Sequence, residues 1–453
     1  MLIDIANSEV SLTNLAALAE WNGVILGVLS HGQSAPVHLG KLLDLAPEFA
    51  MAHALKGLSA LMLGRRELYL VAKEASQTAQ KALKAGGATR REHLWCDALK
   101  NWLAGKPSHA IGRMEDALLI NPSDTISMKL SHGIRFIIGD QIGMRHSIEA
   151  VIDAHDKDHA LRGYALGCLA FAMEETGSYS EAEHIGLEGL EYAGDDAWGL
   201  HAVTHVYDMT HQPSKGIALI DDNLNAWGHC NNFRFHVWWH KALLHLDQGE
   251  IDQVLALYDT KIRNDKTDDY RDFSNASSLL MRLELEGINV GNRWNELADL
   301  AETRTDDGCL TFADLHYMMA LVGDNRSEAT IRMTARIATD ADSNNEVAKV
   351  MRDPGVGVTQ GLSAFSDGRY DTAFAHLHAA HPRLQSMGGS HAQRDVFARL
   401  TIEAGVRSGS LDAAKALIEQ RVAQRKGAVD TFAESRLQVI RDAQAKQAIV
   451  AAE

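Results

Sequence analysis

Gly177-Ser-Tyr179-Ser-Glu-Ala182 is the stretch from which the rest of this chain is read. A glycine that ends one helical run, an apolar residue two positions on and a small residue five positions on make a helix-turn-helix junction. The glycine takes the left-handed backbone after the first helix, and the small residue lets the second helix lie close against it. The unit recurs as Gly105-Lys-Pro107-Ser-His-Ala110, Gly368-Arg-Tyr370-Asp-Thr-Ala373 and Gly409-Ser-Leu411-Asp-Ala-Ala414. Looser copies stand at Gly249-Glu-Ile251 and, with histidine in the glycine's place, at His211-Gln-Pro213-Ser-Lys-Gly216. Ala46-Pro47-Glu-Phe49 and Asn121-Pro122-Ser-Asp-Thr read as proline-led first turns of further helices.

The spacing of these junctions, roughly 34 to 45 residues, lies in and somewhat above the tetratricopeptide range and predicts about ten helix pairs. Only 7 prolines interrupt 453 residues, and alternating apolar and polar runs are scarce, so strands are not expected. The expected fold is all-α, a tetratricopeptide-like superhelix of helical hairpins (an α-solenoid) in a single elongated or ring-like array. Its repeats would run over residues 46–429, between an N-terminal helical cap at 1–45 and a charged C-terminal capping helix at 430–453. The Asp-, Asn- and Thr-rich links between 262 and 346 read as loops within that array.

A net charge of −16 argues against nucleic acid or an acidic membrane surface as the main partner, because either requires a basic face. Cys96, Cys168, Cys230 and Cys309 are too far apart for a C-x-x-C unit and read as reduced core residues. The first ten residues carry acids where a secretory leader needs bases, and no apolar run reaches membrane-spanning length. The expected location is the cytoplasm. Pairing of two copies through the Ala-rich end helix is left open.

Chemistry concentrates between Ala197 and Leu246. His201/His205 and His236/His240 are two His-x-x-x-His pairs in helical runs, so each pair shows both imidazoles on one helix face. Both runs precede their turns, which makes them first helices of neighbouring hairpins. Aligning His211 with Gly249 sets Trp198 opposite His236 and His201 opposite Trp239. Four imidazoles could hold a divalent metal, although no His-Glu-x-x-His pattern accompanies them and the sequence requires no cofactor. Without metal, His201, His205, His236 and His240 suit acid/base catalysis near neutral pH. Trp198, Tyr207, Arg234 and Trp239 are candidate ligand contacts, Trp239 being the member of the Trp238/Trp239 pair expected in the groove. Structural packing is the competing reading for the His pairs. Glu174 and Glu175, just before a turn, read as solvated acids.

Four runs carry a resemblance: Glu174-Glu-Thr-Gly-Ser-Tyr-Ser-Glu-Ala-Glu183, Ala197-Trp-Gly-Leu-His-Ala-Val-Thr-His-Val-Tyr-Asp-Met209, His236-Val-Trp-Trp-His-Lys-Ala-Leu-Leu-His245 and Met387-Gly-Gly-Ser-His-Ala-Gln-Arg-Asp-Val-Phe397. In these, and in their order along nearly the whole chain, the protein resembles the tetratricopeptide repeat protein 38 family. The resemblance implies a tetratricopeptide fold and no settled biochemical activity. The family commonly carries glycine where this chain has His211.

The fourth run adds a second cluster. Ser390 is placed to cap a helix, with His391, Gln393, Arg394 and Asp395 in its first turn. Arg394 beside a helix start suits an anionic group, with Ser390, His391 and Gln393 as further ligand contacts and Asp395 as a catalytic carboxylate. The bland alternative is a cap with an Arg–Asp ion pair. The absence of G-x-S-x-G, P-loop and dinucleotide fingerprints removes nucleotide cofactors and serine-hydrolase chemistry. The reading that follows is a His/Trp-lined pocket binding a small polar or anionic molecule, with hydrolase or lyase chemistry left open. The alternative is a non-enzymatic scaffold that binds a peptide or protein segment in its groove.

Overall fold

Every glycine of the recurring junction takes the left-handed backbone: φ is +74° at Gly105, +83° at Gly177, +74° at Gly249, +73° at Gly368 and +81° at Gly409. Gly177 donates to the carbonyl of Glu174 and Ser178 to that of Met173, closing the spent helix. The alanines five positions on, Ala110, Ala182, Ala373 and Ala414, are fully buried where the second helix meets the first. His211 occupies the same conformation with φ +53°, and its ring is held by Asp247. Gly216, in the alanine's place, lies where a Cβ would meet the Leu244 side chain at 2.6 Å.

These junctions string the chain into consecutive helical hairpins. Representative pairs are Arg90–Leu103 with Pro107–Ile120, Arg162–Glu175 with Tyr179–Tyr192, Val356–Ser366 with Tyr370–Ala380, and His391–Arg407 with Leu411–Gln424. The chain is an all-α protein of tetratricopeptide-like hairpins. Strand among the described residues is limited to the two-residue pairing of Leu2–Ile3 with Glu9–Val10. The structure, a computed structural model, describes residues 1–452, and side chains up to 447. Residue 453 of the expected capping helix lies outside that range. No helix among the described residues is long and apolar enough to cross a membrane.

By its internal contacts the chain divides into two compact units. The first comprises Met1–Val206 with Leu219–Val237, the second Tyr207–Ala218 with Trp238–Glu453. The boundary runs through helices Ala197–Met209 and Phe233–Asp247 rather than through a linker.

Residues 1–45 are part of the first unit's core. Trp21 packs edge-on against Phe49 and Trp95 and donates its indole N–H to Asp4. Asp4 and Asp124 share the buried Arg91 guanidinium at 2.6 Å. In the second unit, helix Thr431–Ala452 buries Phe432, Ala433 and Ile440 against Ile402, Leu411 and Ile418. It is therefore a packed element rather than only a charged cap. Tyr270–Leu285, Arg293–Thr303, Thr311–Gly323 and Ser327–Asp340 are full helices, with the acidic links between them as loops.

Candidate functional site

Helix Ala197–Met209 starts on Asp196, whose carboxylate accepts the backbone N–H groups of Trp198 at 3.1 Å and Gly199 at 3.0 Å. Gly167 on helix Arg162–Glu175 lies where any Cβ would run into that carboxylate. The two helices can therefore approach closely, and this approach brings the end of one against the middle of the other.

The result is a buried row of imidazoles. His205 Nε2 lies 2.9 Å from His201 Nε2, which lies 3.0 Å from His236 Nε2. On the far side of His205, Nδ1 faces Glu174 Oε2 at 3.3 Å. His205 and Glu174 are completely buried, His201 and Glu175 are 2% exposed and His236 is 9% exposed. Glu174 and Glu175 are thus core residues, not the solvated acids expected before the turn. Close packing at Gly167, where a Cβ would meet Asp196, and at Gly186, where one would meet Val203, brings this hairpin against helix Ala197–Met209, and a charge-based reading of one short run has no access to that.

Aromatic rings wall the row. Phe171 stacks on His201 at 5.4 Å and meets His205 edge-on at 5.6 Å, while Trp198 and Phe233 approach His201 at 5.0 and 5.3 Å. The Trp198 indole N–H donates to His132 Nε2 at 3.2 Å. Burial, with Lys129 and Arg135 nearby, holds His132 well below the usual imidazole range, so it is the neutral acceptor that this bond requires. Burial also pushes the Asp196 carboxyl up to about 7, against the opposing pull of the Lys129 ammonium and the two backbone N–H groups.

Several sequence expectations are corrected here. His201 meets His236 and Trp198 meets Phe233, each three positions before the residue that alignment of the turns sets opposite it. The offset of three positions is close to one helical turn, so the same helix faces meet one turn earlier along Phe233–Asp247. Trp239 is fully buried in the second unit's core under the Arg282 guanidinium, and Trp238 is the half-exposed member of the pair. Trp198 is likewise a packed ring with its N–H in use. Tyr207 is buried beneath the Lys215 ammonium. Arg234 bonds the carbonyls of Cys230 and Asn231 across its own helix start. His240 lies one turn beyond His236 on the same helix, within the second unit, its ring against Trp239.

In the second unit, Ser390 caps helix His391–Arg407 in a full capping box. Its hydroxyl accepts from Gln393 N, and the Gln393 side chain accepts from Ser390 N. Both side chains are therefore committed to the cap. Arg394 donates to the Gly389 carbonyl. Asp395 does form an ion pair, but with Arg399 and Arg421 at 2.6 Å rather than with Arg394. Arg421 also reaches Asp430 at 2.5 Å. Burial alone would raise the Asp395 carboxyl; the guanidiniums of Arg421 and Arg399 reverse this and hold it well below the usual range. A carboxylate so fixed is an anchor and not a proton donor near neutral pH.

Beside this knot lies a cavity of about 190 Å³, lined among others by Asp208, His391, Arg394, Arg421, Gln424 and Arg425. Gln424 Nε2 donates to His391 Nδ1 at 2.8 Å, which places the His391 proton on Nε2. Arg425 is bound to the Asp208 carbonyl and carboxylate. None of the sequence signals singled out Arg421 or Arg425, which follow a routine junction at Gly409; their roles exist only through the fold.

No family model matches the chain. Among solved structures, yeast Tom70 is similar at a TM-score of 0.36 and 13% identity, over 96% of this chain and 88% of that one. A chain of the Naa15/Naa10 assembly bound to HypK-THB is similar at a TM-score of 0.24 and 12% identity, over 90% and 64%. The helical-repeat assignment rests on the hairpins and turns described above.

Proposed function

We propose that this chain is a non-catalytic helical-repeat binding protein that takes up a carboxylate-bearing segment of a protein partner in the Arg394–Arg425 cavity. The observation that carries the reading is the lining of that cavity. The guanidiniums of Arg394, Arg421 and Arg425 are each at most 7% exposed, and they stand against the two carboxylates of Asp208 and Asp395. With Arg399 and Asp430 of the adjoining knot included, four guanidiniums meet the three carboxylates of Asp208, Asp395 and Asp430, and one positive charge in excess suits a carboxylate, which a guanidinium can bind through paired N–H groups. The exposed Gln424 and half-buried His391 add neutral donors at the rim. The resemblance to the tetratricopeptide repeat protein 38 family, carried by its four motifs, belongs to this proposal and adds a fold without a defined reaction.

A small polar anion in the same cavity is the second reading, favoured by a volume that holds one acidic side chain or one small acid but not a folded element. Hydrolase or lyase chemistry is not part of the proposal, because His201 and His205 are packed among aromatic rings rather than turned to solvent.

Titration calorimetry with an acidic peptide of alternating Glu and Gly, its Gln-for-Glu counterpart and citrate tests the reading. The acidic peptide is expected to bind, the neutral one not, and Arg394→Gln to weaken binding at least about tenfold, as loss of one charge-assisted bond implies. Equal binding of both peptides, or an unchanged affinity in Arg394→Gln, would remove the cavity from the function. Binding of citrate alone would select the small-anion reading.

A further inference from the structure

We infer that the first unit carries a divalent transition-metal site, with zinc the best-suited ion, held by His201, His205 and His236 through Nε2 and oriented by Glu174. The inference is independent of the cavity in the second unit.

The argument starts from proton bookkeeping. A ring nitrogen carries either a hydrogen or a lone pair, so one atom donates or accepts and does not do both. His201 Nε2 has an imidazole Nε2 on each side, at 2.9 and 3.0 Å. The Glu174 carboxylate, 3.3 Å from the opposite nitrogen of His205, favours by its charge the tautomer with hydrogen on Nδ1 and a lone pair on Nε2. The His205 lone pair is then aimed at His201 and the space beside it. A single hydrogen on His201 Nε2 can lie squarely along only one of its two close nitrogen contacts, whereas a metal ion held by the lone pairs serves both.

The surroundings favour the ion. A carboxylate behind a ligating imidazole is the common outer partner of protein zinc, where it fixes the ring and strengthens it as a donor. Glu174, Glu175 and His205 offer oxygens and a nitrogen within 4.8 Å of one another. Two buried carboxylates behind His205 bring negative charge to the imidazoles. Zinc–nitrogen bonds of about 2.0–2.1 Å in a tetrahedron place nitrogens about 3.3 Å apart, so the two contacts of His201 need to open by only about 0.4 Å each. Phe171, Trp198 and Phe233 supply the apolar wall that excludes water around such a centre.

Two helices supply the ligands in a pattern that the sequence shows only in part. His201 and His205 are four apart on one helix, and His236 comes from the next hairpin 35 positions on. Glu174 comes from the preceding hairpin, so three successive hairpins converge on one point. The His-Glu-x-x-His pattern is absent because the carboxylate arrives from another helix.

The full chain, stripped with a chelator and confirmed folded by circular dichroism, is titrated with Zn²⁺ against a competing chromophoric chelator. The expected result is one tight equivalent per chain, lost in His201→Ala. Glu174→Gln is expected to keep the stoichiometry and weaken affinity about 10- to 100-fold, the usual effect of removing an outer partner. X-ray absorption at the zinc edge of the wild-type protein should show imidazole scattering from about three rings. That measurement decides the matter if His201→Ala does not fold. Absence of a tight equivalent in the folded wild-type protein, binding unaltered in His201→Ala, or a spectrum without imidazole scattering would each overturn the site.

Discussion

The His201–His205–His236 row of the first unit and the Arg421–Asp395–Asp430 knot of the second both bury polar groups, and they satisfy them by opposite means. In the knot, fixed positive charge meets fixed negative charge: Arg421 spans Asp395 and Asp430, and Arg399 reaches both. Both carboxyls are held below the usual range, and Arg421 is held above its own. The carboxylates of Asp395 and Asp430 are thus met within the protein, which locks Leu411–Gln424 and Thr431–Ala452 onto His391–Arg407. In the first unit, imidazoles face imidazoles, and the neighbouring Asp196 carboxyl lies near 7 because burial outweighs Lys129. Buried charge that is balanced internally reads as architecture; buried donors directed at one another read as a place for something else.

The largest effect expected from breaking this contrast is in the knot. Arg421→Ala leaves Asp395 and Asp430 buried without their common partner, and removal of one member of a buried ion pair costs about 3–5 kcal/mol. Chemical unfolding monitored by fluorescence should show that loss, with Arg421→Lys in between because an ammonium cannot fork to two carboxylates. A loss below about 1 kcal/mol would mean that water already shares these charges, as in exposed pairs.

The response to pH should have opposite signs in the two regions. Asp395 and Asp430 have depressed folded values, so their contribution is full above the unfolded value near 4 and disappears as pH falls below it. Asp196 has a raised value of about 7, so the folded state keeps a proton that the unfolded chain releases above about 4. Its contribution is full below about pH 4 and lost as pH rises through 7, at no more than about 1.4 kcal/mol per pH unit. Stability measured from pH 5 to 8 should therefore fall less steeply in Asp196→Asn than in the wild type. Parallel slopes would show that the Asp196 carboxyl is ionised throughout.

The same contrast separates what could be read from the sequence from what could not. The hairpin fold was legible at Gly105, Gly177, Gly368 and Gly409, because a left-handed turn and a small residue five on are local requirements. The capping box at Ser390 and Gln393 was half legible for the same reason. The His pairs were visible as i, i+4 repeats, but their partners were not. Glu174 reaches His205 only because Gly167 lets two helices close together, and Arg421 reaches Asp395 across 26 residues. Aligning the turns does not give the register of the two helices, because side-chain contact follows how the helices pack and not where they end. Trp239 and Trp238 exchanged roles for a related reason: adjacent residues diverge on a helix, and the sequence alone does not say which one the core takes.

The smallest effect, and the finest test of the local argument, is at His211. It takes a conformation that costs a side-chain-bearing residue roughly 1–2 kcal/mol and that glycine adopts freely. Against that cost stands its bond to Asp247 at 2.7 Å, of the kind that contributes about 0.5–1.5 kcal/mol. The two nearly cancel, so His211→Gly should melt close to the wild type. His211→Ala keeps the strained backbone and loses the bond, so it should be less stable by about 1 kcal/mol. If both variants lose the same amount, the Asp247 bond outweighs the backbone, and histidine holds this turn through its side chain; if neither changes, the turn contributes nothing that its neighbours do not already enforce.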